Sequence, residues 1–169
     1  MCNRLICGAV VFIVIATGVP ACDQGLEPEP PPQYGITGKI FFRNWPPPDS
    51  VGELAVAALK DYPQQNPIAE ILNGIITGRA VYDFPQYSYG DSVGKYQLLI
   101  SPLSPGSVAY VAVGRLIGSD FTNPSHWRIA GVYYAPGDTS RPGTVFVPGD
   151  QIVQGVDITV DFLNPPPQP

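Results

Sequence analysis

The chain has 169 residues, with nine basic against 14 acidic side chains, 21 prolines, 18 glycines and a formal net charge of −5. This acidic balance argues against a nucleic-acid-binding protein, which carries a basic footprint, and against electrostatic adhesion to anionic lipid. Abundant Gly and Pro with few charges favour short strands joined by tight turns over helices.

The N-terminal segment has the layout of a bacterial lipoprotein signal peptide. Arg4 supplies a positive start, residues 5–19 carry no charge, and the sequence VPAC at 19–22 stands where a lipobox is expected. The apolar run is shorter than the roughly 20 residues that a membrane-spanning helix needs. We therefore predict cleavage before Cys22 and lipidation of its sulfur. An ordinary secretory signal or an uncleaved anchor is the alternative interpretation.

Cysteine occurs only at positions 2, 7 and 22, so the mature chain would keep Cys22 alone and form no intramolecular disulfide. Removal of residues 1–21 leaves 148 residues and, because only Arg4 is lost, 8 basic against 14 acidic side chains, a net charge of −6. The predicted location is exported, with lipid anchoring the chain to a bacterial membrane on its periplasmic or cell-surface side. Two or more acyl chains anchor stably, whereas one does not.

Composition divides the remainder into three parts. Residues 22–33 are predicted to be a proline-rich tether, an extended spacer of about 3.1 Å per residue. Residues 165–169 form a proline-rich tail. Residues 34–164 are predicted to form one β-sandwich domain, because 148 residues suit a single domain of on the order of 100–200 residues.

Period-two alternation predicts the strands of this domain, because it buries one face and leaves the other wet. The last strand is the clearest, with Val156, Ile158, Val160 and Phe162 facing inward. Pro67 at the start and Gly74 after the end of PIAEILN predict one short helical insert near 67–73. The fold class is therefore all-β, a seven- to eight-stranded Greek-key β-sandwich of two sheets, or a small barrel. The predicted strands are 36–43, 54–58, 79–84, 94–100, 108–116, 128–134, 143–147 and 153–162.

Three segments carry a resemblance to a known family. GITGKI at 35–40 resembles the opening strand of carboxypeptidase regulatory-like domains, GKYQL at 94–98 their G-x-Y-x-hydrophobic strand, and LSPG at 103–106 their L-x-P-G turn, which a tyrosine-bearing strand follows. The resemblance covers residues 35–116. It implies a transthyretin-like (prealbumin-like) sandwich that serves as an accessory, spacer or binding module without catalysis of its own.

The resemblance also assigns roles to particular residues. Gly94 and Gly106 are expected in turns that require positive φ, and Tyr96 and Tyr110 in the core. Two segments depart from the compact family pattern, the one between Lys60 and Arg79 and the proline-rich stretch 45–49. Each is either a loop that carries function or a longer connection. An enzyme of urate breakdown shares the fold class, but its histidines and C-terminal tetrapeptide have no counterpart here.

Residues for catalysis are sparse. His126 is the only histidine, no G-x-S-x-G or H-E-x-x-H motif occurs, and a catalytic zinc site commonly needs three protein ligands. Asp157 and Asp161 share the wet face of the last strand roughly 13 Å apart, wider than the roughly 5–9.5 Å of a glycosidase pair. Asp83 and Asp91 flank an aromatic loop and are expected to be solvated. We predict no enzymatic activity, no metal and no cofactor.

The aromatic residues give the best binding candidates. FPQYSYGD at 84–91 places three rings in a Gly/Pro-bounded loop, and both tryptophans stand near strand ends. Exposed rings stack on sugars or on partner side chains, whereas the alternative is that they cap the open ends of the sandwich. The candidate ligand- or partner-binding residues are Tyr87, Tyr89, Trp45 and Trp127.

Two functions remain open on this basis. The first is a lipid-anchored, non-catalytic structural or protein-interaction module of the cell envelope. The second is a carbohydrate-binding module that uses the exposed aromatics, and a hydrolase ranks third. The expected partners are the membrane, through lipid on Cys22, and an envelope protein or glycan, with no nucleic acid.

Overall fold

The computed structural model describes residues 31–101 and 103–167 and shows an all-β, sandwich-like fold with one helix, α1 (Pro67–Ile76). This confirms the predicted fold class and the helical insert. The predicted signal segment, Cys22 and the tether up to residue 30 lie outside the described residues. The strands are β1 (Gly35–Arg43), β2 (Leu54–Leu59), β3 (Ala80–Asp83), β4 (Val93–Leu99), β5 (Gly106–Val108), β6 (Tyr110–Leu116), β7 (Trp127–Tyr133), β8 (Val145–Val147), β9 (Ile152–Val153) and β10 (Ile158–Asp161).

One long sheet dominates the described part of the chain, in the order β3-β2-β6-β7-β10-β1-β4, with β9 also paired to β1. Strands β5 and β8 form a separate two-stranded sheet. Strand β4, at one end of the order, packs near β2 and β3 at the other end, so the sheet curls around its own interior. The strands number ten rather than seven or eight because β5 and β9 separate from their longer neighbours.

The interior of the curled sheet is filled by alternate residues of its strands, as the sequence pattern predicts. The inward-facing side chains of the first strand are all but fully buried, namely Ile36, Ile40 and Phe42. The same holds for the predicted inward face of the last strand, Val156, Ile158, Val160 and Phe162. No helix among residues 31–101 and 103–167 is long and apolar enough to cross a membrane.

Strand β1 lies between β4, which is antiparallel to it, and β10, which is parallel to it. The predicted continuous strand 153–162 is divided there. Ile36 pairs with Val153 but Ile40 pairs with Ile158, so one extra residue is inserted on the later strand. The extra residue falls in the segment 154–157 between β9 and β10, where Gly155 has a φ of 78° that favours glycine.

The segment 154–157 comes closest to β1 at Gly38. A Cβ at this position would overlap the carbonyl oxygen of Val156. Tyr96, directly opposite Gly38 on β4, extends across the glycine and donates a buried 2.7 Å hydrogen bond from its hydroxyl to that same oxygen. Burial, the first cause, raises the pKa of Tyr96, and the nearby Asp157 raises it further. The absence of a side chain at Gly38 therefore lets one tyrosine join β4, β1 and the last strand.

Helix α1 starts where the sequence predicts and ends later. The Asn66 side chain caps the amide of Ala69 at 3.1 Å, and Pro67 occupies the first turn. The predicted terminator Gly74 lies inside the helix. The helix instead continues to Ile76 and stops before Gly78, which has a φ of 67°. The Gly78 N–H donates to the Ile75 carbonyl and the Arg79 N–H donates to the Gly74 carbonyl, a Schellman arrangement.

Gly74 is buried because it is where α1 packs against the sheet. A Cβ there would come within 2.8 Å of the Ala80 and Leu59 side chains. Ile71 packs in a cluster with outward-facing residues of β2, β6 and β7, including Ala57 and Leu59. Ala55, the third residue on this face of β2, is covered by a separate cluster, so all six residues of β2 are buried although they alternate between two faces. The segment between Lys60 and Arg79 thus adds a second layer over the sheet.

Gly38→Ala tests the close approach at β1. We expect a loss of about 1–3 kcal/mol or more in the free energy of unfolding, since the added methyl meets backbone rather than a movable side chain. Gly114→Ala is the control, because there the nearest atom is the Trp127 ring at 3.3 Å. Denaturant unfolding of the two variants measures the difference. Equal losses would contradict the packing described for Gly38.

Candidate functional site

Trp45 is positioned by an unusual turn at the end of β1. Asn44 has a φ of 56°, the only positive φ at a non-glycine residue in the described ranges, and asparagine tolerates it better than most residues. Its side-chain amide donates to Asp161 Oδ1 at 2.8 Å. This turn directs the Trp45 ring back onto the end of the core, 4.9 Å from the Phe42 ring and 4.8 Å from the Phe162 ring.

The predicted aromatic loop 84–91 reaches the same end of the sheet. The loop turns at Gly90, with a φ of 89°, and Ser88 N–H donates to the Asp91 carboxylate at 2.9 Å. Two crossed hydrogen bonds join it to the turn after β1. Trp45 Nε1 donates to the Asp91 carbonyl at 2.7 Å, and the Tyr89 hydroxyl donates to the Pro46 carbonyl at 2.9 Å. The two loops therefore hold each other in one arrangement.

Tyr87 belongs to the same cluster of rings, and its ring centre lies 5.1 Å from that of Phe42 in an edge-on arrangement. Its ring occupies the space that a side chain at Gly94 would fill. The prediction that Gly94 lies in a turn with positive φ is wrong, because Gly94 lies inside β4 and leaves room for the Tyr87 ring. Gly106 has the predicted positive φ, which is 131°. Burial raises the pKa of Tyr87, and the nearby Asp83 adds to the rise.

The rings of Trp45, Tyr87 and Tyr89 line a shallow groove of about 140 Å³, which we call the aromatic groove. Tyr89 is its most exposed ring, with 54% of its surface accessible. Glu53 and Gln86 add a carboxylate and an amide beside the rings. The groove therefore combines flat apolar faces with hydrogen-bonding groups. Its lining consists of Trp45, Pro48, Val51, Gly52, Glu53, Leu54, Pro85, Gln86, Tyr87 and Tyr89.

Trp127, the fourth predicted binding residue, is placed elsewhere. It is 8% exposed and packs with Ala55 and Leu116 in a separate cluster. Its Nε1 donates to the Phe121 carbonyl at 2.9 Å, and its nearest ring is Phe84 at 6.2 Å. The structure thus brings Trp45, Tyr87 and Tyr89 together and leaves Trp127 as a packing residue.

Four further residues of this end, Phe42, Phe162, Glu53 and Gln86, were not predicted as site residues from the sequence. A signal for the two phenylalanines was present, because each is the last inward-facing residue of its strand and such residues lie at the mouth of a sandwich. The Phe162 ring stacks on Phe42 at 6.4 Å, and the Arg115 guanidinium lies 5.8 Å from the Phe162 ring centre. No sequence signal marks Glu53 or Gln86, since nothing in the residues next to either one indicates that the two meet in the folded chain.

Of the other polar candidates, Asp157 and Asp161 have structural partners. Asp157 accepts from the Lys39 N–H at 2.8 Å, and Asp161 accepts from Asn44 and from the chain after β10. The Ser125 hydroxyl donates to Asn123 at 2.7 Å rather than to His126, whose buried Nδ1 has no partner among the described residues. Within residues 31–101 and 103–167, no group of three or more His, Cys, Asp or Glu side chains is arranged to hold a metal ion.

Comparisons with protein-family models, with curated proteins and with solved structures find no match to this chain.

The pKa of Asp161 tests the turn that positions Trp45. Hydrogen bonds to the carboxylate lower this pKa to about 2, and the bond from the Asn44 amide contributes most. The Asn164 side chain and the Leu163 N–H lower it further. This pKa is lower than the value of about 3.9 for an aspartate in the unfolded chain. The ionised Asp161 carboxylate therefore stabilises the folded protein above about pH 3.9, and this stabilisation is lost as the pH falls through about 2. We expect Asn44→Ala to raise the pKa, as measured by NMR titration. Asn123→Ala, which alters a distant turn, is the control and should leave the value unchanged. A pKa near 3.9 in the wild-type chain would contradict the described contacts.

Proposed function

We propose that this protein is a non-catalytic interaction module of the bacterial cell envelope, held on a membrane by lipid on Cys22, that binds an envelope protein through the aromatic groove. The observation that carries the proposal is the meeting of Trp45 and Tyr89 in two loops joined by crossed hydrogen bonds. Such an arrangement offers a large apolar contact that loses little conformational freedom on binding. Aromatic residues of this kind dominate the energetics of protein interfaces.

The proposed anchor is supported by the N-terminal sequence. Cys22 follows an uncharged segment and a small residue, and a proline-rich, acidic stretch separates it from the first strand at Gly35. Lipid on this cysteine would account for its being the one cysteine kept after cleavage. The tether would then hold the domain at a distance from the bilayer, since proline-rich segments are extended.

We also propose kinship with carboxypeptidase regulatory-like domains. The three segments that carry the resemblance lie in β1, in β4 and in the turn that leads into β5. Gly106 in that turn has positive φ, and Tyr96 and Tyr110 are buried. This placement supports a transthyretin-like module whose role is to present a surface.

The lipid anchor can be tested by growing cells with a clickable fatty acid. We expect the wild-type protein to be labelled and Cys22→Ser to lose the label, because the acyl chain is carried by that sulfur. Cys7→Ser is the matched control and should stay labelled, since position 7 lies in the segment to be removed. Label that persists in Cys22→Ser would refute the anchor.

The interaction surface can be tested by photo-crosslinking in living cells. A photoreactive amino acid at Gln86, an exposed residue of the aromatic groove, should form a discrete protein adduct. The same amino acid at Tyr82 is the control, because Tyr82 is 47% exposed and lies outside the groove. Adducts that are absent at position 86, or identical at both positions, would contradict the proposal.

A glycan ligand is the second candidate, favoured by the pairing of flat rings with Glu53 and Gln86 in one groove. Envelope polysaccharide should then bind the purified protein, and Tyr89→Ala should weaken the affinity about tenfold, as for loss of an aromatic anchor. Tyr82→Ala should leave the affinity unchanged. Absent binding, or binding that survives Tyr89→Ala, would remove this candidate and leave the protein-partner proposal standing.

A further inference from the structure

A second groove lies on the outer face of the sheet beside the start of α1, and it shares no lining residue with the aromatic groove. Its floor includes Tyr110, which is 5% exposed, and the half-exposed Tyr62 packs edge-on against that ring at 5.9 Å. Tyr134 also lines this groove. Burial, the first cause, raises the pKa of Tyr110, and the proximity of Tyr62 and Tyr134 raises it further. We call this site the tyrosine groove.

Five prolines line the tyrosine groove beside its three tyrosines. The cavity measures about 320 Å³, and two of its prolines, Pro166 and Pro167, belong to the C-terminal tail that follows β10. The tail therefore returns to the outer face of the sheet and forms one wall of the groove that the tyrosines line. The complete lining is Tyr62, Pro63, Gln65, Pro67, Tyr110, Val132, Tyr134, Ser140, Pro142, Pro166 and Pro167.

A second cavity adjoins the tyrosine groove. A neighbouring cavity of about 520 Å³ shares Tyr62 and Pro142 with it and extends along Ala109, Ala135 and Thr144. The two cavities therefore lie next to each other beside Tyr62 and Pro142. An extended peptide at about 3.1 Å per residue would reach from one to the other, whereas a compact small molecule would occupy one of them.

The lining matches one chemistry. Proline-rich segments adopt the polyproline II conformation without internal hydrogen bonds, and they dock in aromatic-lined grooves where flat rings pack on the pyrrolidine faces. We propose that the tyrosine groove binds an extended proline-rich segment of a partner chain and that the protein's own Pro166 and Pro167 compete for it. Pro166 and Pro167 already line this groove together with Tyr62, Tyr110 and Tyr134, so an incoming proline-rich segment would meet the same three rings.

A peptide-binding experiment on the full chain tests the proposal. The probe is a fluorescent peptide with the sequence of residues 27–33, Glu-Pro-Glu-Pro-Pro-Pro-Gln, and its control replaces every proline with alanine. We expect saturable binding of the proline peptide alone, measured by anisotropy. The double variant Pro166→Ser, Pro167→Ser should bind it about 3- to 10-fold more tightly, because the competing tail no longer lowers the fraction of open groove.

Substitutions at Tyr62 then locate the site. Tyr62→Ala should weaken binding about tenfold or more, as for loss of an aromatic anchor. Tyr62→Leu should do the same while keeping an apolar cover over Tyr110, so a loss seen in both variants reports the flat ring rather than misfolding. Tyr82→Ala, at another half-exposed tyrosine, is the control.

Three results would overturn the proposal. One is an absence of saturable binding to the tail variant, and another is equal binding of the alanine peptide. The third is an affinity that Tyr62→Leu leaves intact. A tail variant that binds the peptide no more tightly than wild type would refute the competition by Pro166 and Pro167. Because Gln86 and Tyr89 lie outside this groove, each of these results is independent of the function proposed for the aromatic groove.

Discussion

The parallel pairing of the first and last core strands is the constraint on which the aromatic end depends. Strand β1 pairs with β10 from Ile40 to Arg43, and Arg43 stands beside Asp161 where both strands end. Parallel strands finish at the same edge of a sheet. The turn after β1 therefore meets the residues that close β10, so Asn44 can bond Asp161 and Trp45 can pack on Phe162.

The proposed function follows from how these contacts limit motion. The loop that carries Tyr89 would be free to move if it were tied only to β3 and β4. Its crossed hydrogen bonds with the turn at Trp45 and Pro46 fix both loops at once. The tyrosine groove differs, because one of its walls is the tail that follows β10. We therefore propose that the aromatic groove is a fixed binding surface for one partner. The tyrosine groove, in contrast, would bind a proline-rich segment in competition with the protein's own tail.

Much of the fold could be predicted because its signals are local. Alternation in β1 and β10, and proline at the start of α1, each act within a few residues. The remainder depends on contacts between distant segments. Gly74 resembles a terminator until β2 and β3 pack on it, and Gly94 resembles a turn residue until the Tyr87 ring fills its space. Trp45 and Trp127 both stand near strand ends, and only the cluster with Ala55 and Leu116 removes Trp127 from the surface.

The central claim is that the aromatic end is already formed without a partner, and hydrogen exchange at the Trp45 indole tests it most directly. The indole N–H of Trp45 donates to Asp91, and Trp127 is the only other tryptophan, so two indole signals are resolved by NMR. The account predicts slow exchange at Trp45 in the free protein and faster exchange in Tyr89→Phe, which loses the second crossed bond. Exchange at Trp45 as fast as in a free indole, or unaffected by Tyr89→Phe, would contradict it.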